Sequence, residues 1–69
     1  MIYKKVFLTE RQNSVLRLIA EGHTNGEIAN ELFMSKRTVE GNRAILITIT
    51  NTRNTASLIT YCFRSGLLV

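Results

Sequence analysis

Proline is absent from this chain, and cysteine and histidine occur once each, as Cys62 and His23. A single cysteine excludes an intramolecular disulfide framework, and a single histidine leaves no ligand cluster for zinc, so neither a metal nor another cofactor is expected. A reducing cytoplasm is the simplest compartment for such a chain. Long apolar runs are missing too. None approaches the ~20 residues of a membrane-spanning helix, and Met1-Ile2-Tyr3-Lys4-Lys5 is not followed by the apolar stretch of a signal peptide, so neither export nor membrane insertion is expected. Enzyme chemistry is discounted, because no paired carboxylates, no Cys/His arrangement and no glycine-rich phosphate loop occur. Carboxylates are scarce, five against nine lysines and arginines, which sets the net charge at +4 and favours an anionic partner such as nucleic acid. At 69 residues there is room for one small domain, with a net stability of roughly 3–5 kcal/mol.

What is present is helical periodicity. Residues 1–7 carry none and read as an N-terminal arm or the remnant of a linker, with a sensing half expected outside the chain; the domain is read as 8–69. Thr9 and Gln12 form a Thr-x-x-Gln capping box, Leu8 is available as a hydrophobic staple, and Val15, Leu16 and Ile19 recur at helical spacing. The first helix is predicted over about Glu10 to Glu21, ending at Gly22. Thr24 and Glu27 repeat the box and open a short second helix carrying Ile28, Ala29 and Leu32. Phe33-Met34 make a tight connection, Ser35 caps a third helix running toward Thr50, and Asn54 caps a fourth that ends at Gly66.

The meaning concentrates around Ser35-Lys36-Arg37-Thr38-Val39-Glu40-Gly41-Asn42-Arg43-Ala44. A capping hydroxyl is followed by two cations in the first turn, which suits a helix whose front end meets an anion. With about 100° per residue and Val39 facing inward, Leu46 and Thr50 share its side, while Arg37, Glu40, Gly41, Ala44 and Thr48 face the other way. Two short helices joined by a tight turn, with Ala29 and Val39 at the crossing, fit a helix-turn-helix. From pattern alone an ordinary αα-hairpin stays open; the basic front of the third helix favours the former.

Leu8-Thr9-Glu10-Arg11, Val15 to Gly22, Asn25-Gly26-Glu27-Ile28-Ala29, Leu32 to Val39, and then Arg53-Asn54-Thr55-Ala56, Tyr61 and Gly66-Leu67-Leu68 together resemble the LuxR-type (GerE/NarL/FixJ) DNA-binding domain. The resemblance implies an all-α four-helix bundle containing a helix-turn-helix, acting as a transcriptional regulator on double-stranded DNA. It implies base contacts from Glu40, Gly41 and Ala44, and a phosphate grip from Thr24 and Asn25 at one helix start and Ser35, Lys36, Arg37 and Thr38 at the other. Arg43 lies nearer the packing side, so its stem should lie on the core and its guanidinium reach outward to a phosphate or a carboxylate. RNA polymerase is a further candidate partner. A sigma-factor region-4-like promoter-binding domain, which shares the first three helices, is the nearest competing family, and the fourth helix argues against it.

The chain also departs from the family's pattern. Many relatives carry a cation where Glu40 and Ala44 stand, so base preference should differ: Glu40 either accepts from a cytosine amino group or merely pairs with Arg37 or Arg43 in solvent. The run Ala44-Ile45-Leu46-Ile47-Thr48-Ile49-Thr50 is poor in charge and rich in β-branched residues, which lower helix propensity by a few tenths of a kcal/mol each. The third helix is therefore expected to fray or end early, with Ile45 and Ile49 forming a small exposed apolar stripe. That stripe reads first as a tolerated surface; as a protein contact it is the basis of the alternative function, a protein-interaction module on the same fold. The fourth helix is apolar on two sides: Leu58, Tyr61 and Cys62 on one, and Ala56, Ile59 and Phe63, with Thr60 beside them, on the other. One face should pack on the bundle while the second meets another copy, giving a homodimer, unless Leu67, Leu68 and Val69 fold back over it.

Overall fold

The computed structural model describes residues 7–68. The arm read over 1–7 falls, apart from Phe7, outside the described residues, and so does Val69. Four helices follow one another: α1 (Glu10–Ala20), α2 (Asn25–Leu32), α3 (Lys36–Thr50) and α4 (Thr55–Ser65), with no strand among the described residues.

Each helix starts where its side-chain chemistry dictates. In α1, Gln12 N–H donates to Thr9 Oγ1 at 3.1 Å while Thr9 N–H donates to Gln12 Oε1 at 2.9 Å, so two orphan donors are satisfied reciprocally. The box at the start of α2 is the same, with Glu27 N–H on Thr24 Oγ1 at 3.2 Å and Thr24 N–H on Glu27 Oε1 at 2.8 Å. Those hydrogen bonds from Thr24, the backbone one foremost, hold the Glu27 carboxyl below its ordinary range. Asn54 Oδ1 accepts from Ser57 N–H at 2.9 Å to open α4.

The stops are equally local. Glu21 ends α1 as its C-cap, one residue short of the predicted span, and Gly22 takes the left-handed conformation at φ 90°. Gly22 N–H then donates to the Ile19 carbonyl and His23 N–H to that of Leu18, at 3.0 and 3.1 Å, closing the last turn. The α2–α3 turn makes the same reversal with Phe33, at φ 54° and ψ 46°, and α3 ends on Asn51 at φ 54°. Asparagine tolerates that conformation and phenylalanine does not, so Phe33 is a strained choice whose ring stays almost wholly in solvent.

One stripe from each helix meets in the centre: Val15, Leu16 and Ile19 from α1, Ile28 and Ala29 from α2, Val39 and Leu46 from α3, and Leu58 and Cys62 from α4. Leu68 turns back after Gly66 to join them. Burial pushes the Cys62 thiol upward, which keeps it an inert apolar filler.

The third helix does not end early. All 15 residues to Thr50 are helical, contrary to the expectation from its β-branched run. Packing outweighs propensity here, because Leu46 is fully buried and Ile47 lies against the core. The threonines also bond backward along the helix: Thr48 Oγ1 donates to the Ala44 carbonyl at 2.9 Å, and Thr50 Oγ1 to that of Leu46 at 2.7 Å.

Candidate nucleic-acid interface

The front of α3 differs from those of α1 and α2 in lacking an acid, and from that of α4, which also lacks one, in its two cations. Glu10 lies in the first turn of α1 and Glu27 in that of α2, whereas the first turn of α3 holds no acid. Ser35 caps it through a 3.1 Å bond from Thr38 N–H, and the Ser35 and Thr38 hydroxyls lie 2.9 Å apart. Both groups are neutral, so the positive end of the helix dipole is left uncompensated. Lys36 and Arg37 add two exposed cations at the same point. Among the described residues the only ion pairs within 4 Å are those of His23 with Glu21 and Glu27, so neither Lys36 nor Arg37 is neutralised from within. The result is an anion-attracting helix start with donors, hydroxyls and charge in one turn.

At the front of α2 the situation is reversed. Thr24 has both its amide and its hydroxyl engaged by Glu27, and the carboxylate itself stands at the helix start. Asn25 is half-buried, and its Oδ1 accepts from Arg43 at 2.7 Å.

Arg43 is where the expected and observed arrangements part. It meets no carboxylate among the described residues; the guanidinium spans three helices, with one terminal nitrogen donating to Thr55 Oγ1 at 2.8 Å and the other to Asn25 Oδ1 at 2.7 Å. Its Nε is buried without a partner. Its position, some 40° from Val39 by helical angle, accounts for the inward stem; Asn25 and Thr55 as partners follow only from how the helices dock. Arg43→Ala is expected to lower stability by about 1.5–3 kcal/mol, the range for hydrogen bonds to a charged group, as measured by urea unfolding, and Arg43→Lys to recover little because an ammonium cannot span both acceptors.

Along the rest of α3, Glu40, Gly41, Ala44, Ile45, Thr48 and Ile49 are exposed. Glu40 forms no ion pair with Arg37 or Arg43. A Cβ built on Gly41 would meet nothing within 4 Å. Asn42 turns back, its Nδ2 donating to the Thr38 carbonyl at 2.9 Å. On α4, Ala56 and Thr60 are exposed, Ile59 is half-buried and Phe63 is 51% exposed. Leu68 has entered the core and Leu67 and Ile59 pack against it, while Ala56, Thr60 and Phe63 stay exposed among the described residues.

Residues 6–62 match the GerE family, bacterial regulatory proteins of the luxR type. The chain belongs to that family. It is a DNA-binding regulator domain with the LuxR-type helix-turn-helix fold. It is 40% identical over 67 residues to a probable transcriptional regulator, ycf29, of Porphyra purpurea, an alignment covering 97% of this chain and 32% of that protein. The oxygen regulatory protein NreC of Staphylococcus epidermidis is 36% identical over 61 residues, covering 88% of this chain and 28% of NreC. The dimeric LuxR-type receptor VqmA of Vibrio cholerae superposes with a TM-score of 0.87 at 30% identity, over 91% of this chain and 28% of that one. The chain thus spans about a third or less of these relatives. Among the described residues, no helix is long and apolar enough to cross a membrane.

Proposed function

We propose that residues 8–69 form the sequence-specific DNA-reading output domain of a cytoplasmic transcriptional regulator, with α3 in the major groove and two copies bound together on DNA. The uncompensated cationic start of α3 carries this reading. Ser35, Lys36, Arg37 and Thr38 grip one phosphate run, with Thr24 and Asn25 at its edge. Arg43 serves mainly by fixing Asn25 and the α3–α4 junction, and it keeps unspent N–H donors for a passing phosphate. Glu40, Gly41 and Ala44 face the base edges. Ala56, Ile59, Thr60 and Phe63 form the face for a second copy, as befits a relative of the VqmA dimer. RNA polymerase is the partner that transcriptional control adds.

Gly41 supports close approach to DNA. Glycine inside a helix costs about 1 kcal/mol relative to alanine, and nothing within the domain fills the space beside it. Gly41→Ala is therefore expected to raise stability by about 1 kcal/mol in urea unfolding while weakening DNA binding, two effects of opposite sign. A gain in both would remove the groove contact at this position.

Titration against random duplex DNA at two salt concentrations, with sequencing of the retained pool, tests the proposal. An enriched motif with repeated half-sites, held less tightly as salt rises, is the expected result. The second reading rests on Ile45 and Ile49, 47% and 41% exposed, as a contact for another protein. It gains if the folded domain retains no DNA even at low salt.

A further inference from the structure

The outward face of α3 has an unusual donor inventory, and it limits which bases that face can read. Past the first turn none of the exposed residues of α3, Glu40, Gly41, Ala44, Ile45, Thr48 and Ile49, carries a side-chain N–H donor, and the two that do, Asn42 and Arg43, are half-buried. Arg43 is bound to Thr55 and Asn25, and Asn42 donates to the Thr38 carbonyl. The Thr48 hydroxyl is given to the Ala44 carbonyl at 2.9 Å, which leaves its methyl as the group on offer. What faces outward is one carboxylate, Glu40, followed by the apolar groups of Ala44, Ile45 and Thr48.

In the major groove guanine shows two acceptors, O6 and N7, and adenine shows N7 beside its amino group. Both purines ask for a donor that this face lacks. A carboxylate set against adenine would lie beside the N7 lone pair, whereas the cytosine amino group has no such neighbour. Thymine carries the only apolar group in the groove, its 5-methyl.

We infer that the strand facing α3 beyond its first turn is read as pyrimidines: thymine 5-methyl groups packed on Ala44, Ile45 and Thr48, and a cytosine amino group donating to Glu40. This inference rests on the proposed insertion of α3 into the major groove and adds the class of sequence it selects. Guanine recognition is confined to Lys36 and Arg37, at the end of the face where phosphates also lie.

The test begins with the motif retained from random duplex DNA and then replaces its thymines, one at a time, with deoxyuridine, which removes only the 5-methyl group. Binding of the full chain is expected to weaken about fourfold for each methyl under α3, the value of one buried methyl group, with an unchanged salt slope. Thymines outside the α3 footprint should be indifferent. Thr48→Ser deletes one protein methyl and should abolish the deoxyuridine effect at one position, shown to be folded by its circular dichroism. A motif anchored on guanines under the middle of α3, or indifference to every deoxyuridine, would overturn the inference while leaving DNA binding intact. Failure of the folded protein to retain any DNA would overturn the underlying reading, and this inference with it.

Discussion

Leu46→Ala is expected to remove most of the stability of the domain at 25 °C. Leu46 is fully buried between the helices, and truncating such a leucine costs about 2–5 kcal/mol, through lost transfer free energy and the cavity left behind. A domain of this size has roughly 3–5 kcal/mol to lose. The neighbouring residue supplies the control: Ile45 is 47% exposed, and Ile45→Ala should change stability by no more than about 0.5 kcal/mol. Urea unfolding followed by far-ultraviolet circular dichroism separates the two. Equal effects at 45 and 46 would mean that α3 is rotated about its axis from the orientation described here, and the outward face would have to be redrawn.

The second large effect concerns the start of α3. Lys36→Ala with Arg37→Ala is expected to weaken binding to every duplex together, by roughly tenfold or more for each charge-assisted contact removed, and to reduce the slope of log affinity against log salt by about 2. Fold stability should stay near that of the parent, because neither side chain is engaged within the domain. Glu40→Ala should behave differently, changing preference at one base pair and leaving the average affinity nearly unaltered. If the double substitution shifted sequence preference with no change in the salt slope, these cations would be base readers and the phosphate grip would lie elsewhere.

Much of this architecture was legible in the residues. The caps Thr9, Thr24, Ser35 and Asn54 sit where their spacing placed them, because a capping bond joins residues three apart and needs no tertiary information. The core stripe was legible for a related reason: helical period and apolar chemistry jointly select Val15, Leu16, Ile19 and Leu46, whereas α4, apolar on two sides, left open whether Leu58 or Ile59 faces inward. The persistence of α3 was not. Its propensity argued for fraying, and only the docking of Leu46 and Ile47, with the back-bonded Thr48 and Thr50, reverses that balance. Arg43 shows the same boundary within the candidate site. Its angle was readable, but a span from Asn25 to Thr55 depends on distances between helices that no local pattern encodes. Phe33 is a third case, since a glycine-like turn conformation on an exposed aromatic runs against both its propensity and its hydrophobicity.

The decisive measurement is a titration of the 15N-labelled domain with its selected duplex, following every backbone amide by NMR. Shifts concentrated on Ser35, Lys36, Arg37 and Thr38, and continuing through Glu40, Gly41 and Ala44, with lesser changes at Thr24 and Asn25, are the expected outcome. Shifts confined to α4, or to Ile45 and Ile49 with the front of α3 silent, would mean that the cationic helix start does not meet the DNA and that this domain acts through a different surface.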